Sequence, residues 1–98
     1  MATFEWDPLK ARINVRKHGV SFEEASTAFD DPHALEVEDL QHVDPSERRW
    51  KRVAYSFRGR LLLLIVYTLR RLKNGEETIR IIRDRQATRS ERKIYAGR

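Results

Sequence analysis

Apolar residues occupy nearly every position from Arg60 to Leu69, whereas the neighbouring segments alternate between apolar and polar residues. A short continuous apolar run bounded by turn residues is typical of a strand buried on both faces, so it predicts the central strand of a sheet. Three further segments predict strands: Ala34–Asp39 and Arg49–Phe57, which alternate between apolar and polar residues, and Glu77–Arg85, whose two faces both mix isoleucine with charged residues. Asn74-Gly75 and Arg58-Gly59 predict turns that join these strands as hairpins.

The first third of the chain carries a short strand pattern at residues 4–6 and then helical signals. Asp7 and Pro8 have the residue types preferred at the N-cap and first position of a helix, which we expect to end at His18, with Gly19 in the left-handed position. A second helix begins at Ser21, which has capping-box spacing to Glu24, and stops before the Asp-Asp-Pro sequence at residues 30–32.

The end of the chain predicts a strand that continues almost directly into a helix. Thr88 and Glu91 have capping-box spacing, and the helix continues to Ala96, with Gly97 as its stop. The predicted order is one strand, two helices, a four-stranded meander and one helix. This order indicates a single α+β domain over residues 1–98, with a mainly antiparallel twisted sheet, two N-terminal helices and one C-terminal helix.

Composition excludes several classes of chemistry. The chain has 98 residues, of which 40% are hydrophobic, and no cysteine, so disulfides, thiolate zinc sites and cysteine nucleophiles are excluded. Its three histidines lack zinc-site spacing, its four glycines form no phosphate loop, and we expect neither a metal nor a cofactor. The N-terminus shows no secretion signal and no apolar run is long enough for a membrane span, so we expect a cytoplasmic protein.

Charge divides the chain into two unlike halves. Residues 1–50 carry six Lys/Arg and eleven Asp/Glu, and residues 51–98 carry fourteen Lys/Arg and four Asp/Glu. A basic half of this kind indicates a polyanionic partner, and a nucleic acid is the partner that we expect. The acidic half suggests a second interface, with a protein partner, to which Phe22, Phe29 and the strand Leu35–Asp39 are expected to contribute.

The arginines near the C-terminus are the strongest candidate for a phosphate site, because the planar guanidinium group matches phosphate oxygens. Five of them fall within thirteen residues: Arg80, Arg83, Arg85, Arg89 and Arg92. Simple strand alternation would place two faces as follows: Ile79, Ile81, Arg83 and Arg85 on one, and Thr78, Arg80, Ile82 and Asp84 on the other.

The first helix offers a second basic surface. Lys10, Asn14, Lys17 and His18 recur at helical spacing and share one face. That face is either a solvated basic surface or a wall that faces phosphates opposite the last strand.

RNA cleavage without a metal needs a base for the 2′-hydroxyl, cations for the phosphorane and an acid for the leaving oxygen. The residues that we expect to act in catalysis are Lys17, His18, Arg80, Arg85 and Tyr95. The residues that we expect to bind RNA are Lys10, Asn14, Arg83, Arg89 and Arg92. The base and the acid remain open among Lys17, His18, Glu91 and Tyr95, and for Glu91 a purely capping role is favoured.

The chain also resembles a known family over about residues 4–95. The matching residues are Phe4, Trp6, Asp7, Pro8, Lys10, Asn14, the string KHGVSFEEA at residues 17–25, Phe29, Asp31, Glu47, Arg49, Gly59, Arg60, Arg80, Ile81, Ile82, Arg85, Ala87, Thr88, Glu91 and Tyr95. These residues resemble the BrnT family of type II toxin–antitoxin toxins. The resemblance implies a RelE-like fold and a toxin that cleaves RNA and blocks translation.

The resemblance further implies a cognate BrnA-like antitoxin with a ribbon-helix-helix domain, which forms a hetero-oligomer with the toxin and through which the complex binds operator DNA. The chain departs from the family pattern at Arg83 and Asp84, where the family has small residues. A rival interpretation is a module that uses the arginine patch to bind RNA, DNA or a protein without cleavage.

Overall fold

The computed structural model describes residues 2–41, 44 and 46–97. It is an α+β domain with a five-stranded mixed sheet and three helices. The strands are β1 (Thr3–Glu5), β2 (Leu35–Glu38), β3 (Arg49–Tyr55), β4 (Leu62–Arg71) and β5 (Glu77–Gln86). The helices are α1 (Pro8–His18), α2 (Phe22–Thr27) and α3 (Arg89–Ala96). No described helix has the length and apolar character of a membrane span.

The predicted meander is confirmed, since the sheet order is β1-β5-β4-β3-β2 and strands β2 to β5 are antiparallel neighbours. Strand β4 is central and buried on both faces from Leu62 to Thr68, as its apolar run predicts. Strand β1 adds a parallel edge beside β5, with Phe4 opposite Ile79. The sheet is therefore mainly antiparallel with one parallel pair.

One face of the sheet carries the main core, which we call the core face. Leu63, Ile65 and Tyr67 of β4 pack there with Ile81 of β5 and with buried residues of the α2 region. Phe22 is completely buried and packs edge-on against Trp6. Phe22 therefore holds the core together and is not available to a partner, contrary to the expected interface role.

The sequence signals for helix ends are largely confirmed. The Asp7 side chain accepts from the Leu9 amide, Gly19 has φ 70°, and the Thr88–Glu91 capping box is complete. At the start of α2 only half of the expected box forms: Ser21 accepts from the Glu24 amide, whereas the Glu24 carboxylate pairs with Arg60. The Ser21 cap therefore satisfies one amide of α2, and the Glu24 carboxylate links α2 to Arg60 in the connection between β3 and β4.

The β3–β4 connection is wider than the predicted two-residue hairpin. Tyr55 is paired with Leu62, and the loop between them is closed by a hydrogen bond from the Ser56 amide to the Leu61 carbonyl at 2.8 Å. Both central residues, Arg58 and Gly59, have positive φ as the turn signal requires. In the β2–β3 connection, His42, Val43 and Pro45 lie outside the described residues.

Arg52 is a buried arginine on the core face that joins β3 to the region after α2. It forms an ion pair with Glu36, donates to the backbone carbonyls of Ala28, Phe29 and Asp31, and stacks over the Phe29 ring. The Tyr67 hydroxyl donates to the same Glu36 carboxylate, and burial together with this hydrogen bond raises the pKa of Tyr67. Because these polar groups hydrogen-bond to one another, we interpret the cluster as part of the structural core and not as a ligand-binding site.

Candidate functional site

A β-bulge in β5 decides which side chains share the face opposite the core face. Tyr67 is paired with Ile81 and Val66 with Arg83, so Ile82 is an extra residue in β5. Simple alternation would have separated Arg80 from Arg83 and Arg85. Because the bulge shifts the alternation by one residue, all three arginines lie on the same face, and the predicted division of β5 into faces is wrong.

The register arranges this second face, which we call the arginine face, in rows across β5, β4 and β3. Its basic residues are Arg80, Arg83 and Arg85 of β5, Arg70 of β4, and Arg49 and Lys51 of β3. The first row is Arg80–Thr68–Arg49, the second is Arg83–Val66–Lys51, and the third is Arg85–Leu64–Val53. Basic side chains therefore flank a floor in which Val66 is 0% and Leu64 8% exposed.

Arg83 is the exposed arginine in the middle row. It makes no ion pair or hydrogen bond to the part of the chain that the structure describes, and its row partner Lys51 lies 4.0 Å from Asp39. Neighbouring strands are roughly 5 Å apart, so Arg83 and Lys51 start about 10 Å apart on either side of Val66. Side chains of this length can converge on one phosphate between them.

Arg80 is held by a carboxylate at the edge of the sheet. Its guanidinium lies 2.8 Å from the Glu5 carboxylate, which also pairs with Arg70 at 3.1 Å. The Arg80 side chain is about one third exposed. Glu5 therefore orients two arginines at one end of the arginine face and partly neutralises them.

Arg85 is held by Glu91 of α3 in a bidentate pair, with nitrogen–oxygen distances of 2.8 and 3.0 Å. The same carboxylate accepts from the Thr88 amide, so the capping box and the arginine clamp share one side chain. The hydrogen bond to Glu91 raises the pKa of Arg85, and the hydrogen bond from Arg85 holds the pKa of Glu91 below its ordinary value. The predicted capping role of Glu91 is confirmed, and its contact with Arg85 was missed.

Tyr95 closes the far end of α3 onto β3. Its hydroxyl donates to Asp31 at 2.7 Å, and its ring packs edge-on against Tyr55. Burial raises the pKa of Asp31, but hydrogen bonds from the Tyr55 amide, the Tyr95 hydroxyl and the His33 amide outweigh it and hold the pKa below its ordinary value. Tyr95 thus fixes the position of α3 relative to the arginine face.

The expected basic wall on α1 lies on the other side of the sheet. Asn14 is buried against Asp84 on the core face, where its carboxamide oxygen accepts from the Asp84 amide at 3.0 Å. Lys10, Lys17 and His18 are exposed on the same helix. The structure therefore brings Arg80, Arg83 and Arg85 together but separates them from α1.

The remaining predicted RNA-binding residues, Arg89 and Arg92, are exposed on α3 and extend the basic surface beyond Arg85. Three basic residues of the arginine face, Arg49, Lys51 and Arg70, were not among the predicted site residues. The alternation of residues 49–53 already places Arg49 and Lys51 on one side of a strand, but only the register with β4 shows that this side faces Arg83. Within the described ranges, no group of three or more His, Asp or Glu residues is placed to hold a metal ion.

Comparison with known proteins agrees with the resemblance noted in the sequence. The model of a family described as the ribonuclease toxin BrnT of type II toxin–antitoxin systems matches residues 6–91. The chain belongs to the BrnT family. The match includes every basic residue of the arginine face and ends at Glu91. A search of curated proteins returned no match.

As a BrnT-family member, the chain is a toxin of a type II system, a class in which the toxin has a protein antitoxin as its partner.

Proposed function

We propose that this BrnT-family chain, folded as a RelE-like domain, is an RNA endonuclease that cleaves on its arginine face without a metal ion. The observation that carries the proposal is the bulge at Ile82, which gathers Arg80, Arg83 and Arg85 beside Lys51. A bulge that brings three cations onto one face suits the binding of a bridging phosphate and its flanking phosphates. Arg83 is exposed, and the side chains of Arg80 and Arg85 are each about one third exposed, so an RNA strand has access to these cations.

In the proposed reaction, Arg83 and Arg85 bind the non-bridging oxygens of the scissile phosphate. Arg85 transfers from Glu91 to the phosphate, and the released Glu91 carboxylate takes the proton of the 2′-hydroxyl. The 2′-oxygen then attacks phosphorus and the bond to the 5′-oxygen breaks, while Lys51 supplies a proton to that oxygen. The products are a 2′,3′-cyclic phosphate and a free 5′-hydroxyl end.

In this proposal Glu91 is the general base and Lys51 is the general acid. Lys17 and His18 are left out of the reacting centre because α1 packs on the core face. Tyr95 is given a positioning role, because its hydroxyl is engaged with Asp31. Arg80, bound to Glu5, is proposed to hold the neighbouring phosphate, and Arg89 and Arg92 to bind the strand farther along α3.

The direct test is incubation of the purified chain with end-labelled RNA in excess EDTA, with analysis of the product ends. We expect cleavage with cyclic phosphate termini, and at least a hundredfold slower cleavage by Arg85→Ala and Arg80→Ala with unchanged circular dichroism. Intact RNA with strong salt-dependent binding would support the rival binding module instead. Cleavage that stops on addition of EDTA would overturn metal independence.

At the level of the cell, we propose that this cleavage blocks translation in the cytoplasm. A BrnA-like antitoxin with a ribbon-helix-helix domain neutralises the toxin, and operator DNA is bound only through that complex. Family membership supports a protein partner. Expression of the chain alone is expected to arrest growth and protein synthesis, and co-expression with the antitoxin is expected to restore both. Normal growth on expression of the folded chain alone would contradict this part.

A further inference from the structure

The outer edge of β2 (Leu35–Glu38) has open hydrogen-bonding groups. Among the described residues no strand pairs with that edge. On its inner side the Asp39 amide donates to the Arg49 carbonyl at 2.8 Å. Because bonded pairs alternate along an antiparallel ladder, Leu35 and Val37 also bond toward β3. The N–H and C=O groups of Glu36 and Glu38 therefore face outwards.

The surroundings of this edge combine exposed apolar side chains with negative charge. Val37 is 61% and Leu40 is 83% exposed. Residues 30–47 contain seven Asp/Glu and no Lys/Arg, and residues 30–53, which include the basic residues of β3, still carry a net charge of −3. An edge strand with exposed aliphatic groups is a template for a further strand. At the other edge, β1 presents no exposed large apolar side chain.

We infer that the β2 edge docks an extended segment of the antitoxin as a sixth strand, and that this segment alternates Lys or Arg with aliphatic residues. The inference rests on the proposed partnership with an antitoxin. Residues of the segment opposite Glu36 and Glu38 share the core face with those carboxylates, so they are the basic ones. Residues opposite Leu35 and Val37 lie at the margin of the arginine face, so they are aliphatic.

The pattern follows from side-chain position and not from net charge alone. Glu36 and Glu38 already pair with Arg52 and Arg48, and Glu38 remains about one third exposed. A basic side chain opposite Glu38 joins an existing exposed ion pair. An aliphatic side chain opposite Val37 removes its exposed methyl groups from water. A second copy of the same β2 strand would place carboxylates against carboxylates, which disfavours self-pairing.

The test uses an eight-residue peptide with capped termini in which arginine and valine alternate. The control peptide has the same composition, but its four arginines precede its four valines. We expect the alternating peptide to bind more tightly by fluorescence anisotropy, with affinity that falls as salt rises. In ¹⁵N spectra it should slow hydrogen exchange of the Glu36 and Glu38 amides at least tenfold. Equal binding of both peptides, or protection confined to other residues, would overturn the inference.

Glu38→Pro removes an outward amide and the carboxylate that pairs with Arg48, but no hydrogen bond of the ladder to β3. Val37→Lys places a positive charge at the same edge. Each is expected to weaken binding of the alternating peptide about tenfold. Thr3→Lys makes the same charge change as Val37→Lys on the exposed part of β1 and should leave binding within twofold. Equal weakening by Thr3→Lys and Val37→Lys would contradict docking at β2.

The RNA assay separates this inference from the proposed function. Glu38→Pro is expected to cleave RNA at the wild-type rate while it binds the alternating peptide about tenfold more weakly. If the wild-type chain cleaves RNA but leaves the Glu36 and Glu38 amides unprotected by the peptide, the docking inference fails and the ribonuclease proposal stands.

Discussion

Replacement of Asp84 by asparagine should remove a pH dependence that is built into the core. Asp84 is 1% exposed, and its Oδ2 has no hydrogen-bond partner. The other oxygen accepts from the Asn14 carboxamide, whose second hydrogen is donated to the Val20 carbonyl at 3.0 Å. Burial, partly offset by the Asn14 hydrogen bond and reinforced by repulsion from Glu24, raises the pKa of Asp84 to about 7.

The direction of the change in stability with pH follows from the pH at which Asp84 releases its proton in the folded and the unfolded chain. In the unfolded chain the carboxyl loses its proton near its ordinary pKa of 3.8, whereas in the folded chain it keeps the proton until about pH 7. Stability therefore falls as pH rises through this window and the loss is complete above it. Three pH units correspond to about 4 kcal/mol, at about 1.4 kcal/mol per unit. Between pH 5 and 7 the expected loss is about 2 kcal/mol, because the folded carboxyl is already half ionised at pH 7.

The assay is urea denaturation followed by circular dichroism at pH 5, 6, 7 and 8. Asp84→Asn leaves an amide nitrogen at the unpartnered position, which costs about 1–3 kcal/mol at every pH, so the comparison rests on the slope. The variant should lack the loss of stability between pH 5 and 7. Asp30→Asn, at an exposed carboxylate, is the matched control and should keep the wild-type slope. An unchanged slope in Asp84→Asn would refute the reasoning.

Three further predictions concern the packing around the site. Arg52→Ala should cost about 2–3 kcal/mol in the free energy of unfolding by urea titration, because it removes the buried guanidinium that donates to the carbonyls of Ala28, Phe29 and Asp31 and pairs with Glu36; a cost below about 1 kcal/mol would contradict this. Tyr95→Phe should cost about 1 kcal/mol and weaken the folded-state acidity of Asp31, whose carboxyl pKa by NMR should rise; an unchanged pKa would contradict the contact. Gly19→Ala should lower stability by about 1 kcal/mol in the same titration, because φ is 70° at this position; a neutral or stabilising effect would contradict it.

Local signals predicted the fold well because they act over a few residues. The apolar run of β4, the caps at Asp7 and Thr88 and the left-handed Gly19 each depend only on neighbours in sequence. The α+β class followed from their order. What local signals could not reveal was pairing between distant segments, such as the parallel contact of Phe4 with Ile79.

The candidate site was predicted less completely, for reasons visible in β5. The cluster of arginines was evident, but the bulge at Ile82 depends on the match between β5 and β4, and it reverses the face on which Arg83 lies. The prediction that α1 faces the arginines of β5 across the site was wrong. Asn14 of α1, which was expected to bind RNA, is instead buried against Asp84 on the core face. Asp84 is one of the two departures from the family pattern, with Arg83, and it faces the core.

Arg83→Ala is the most direct test of the claim that the arginine face is the reacting surface. Arg83 makes no ion pair with the described part of the chain, so its removal leaves the Glu5 and Glu91 pairs intact. Arg12→Ala is the matched control, because Arg12 is exposed on α1 on the opposite side of the sheet. Single-turnover cleavage of labelled RNA in EDTA should slow about a hundredfold in Arg83→Ala and stay within twofold in Arg12→Ala. A wild-type rate in Arg83→Ala, or an equal loss in both variants, would contradict the account.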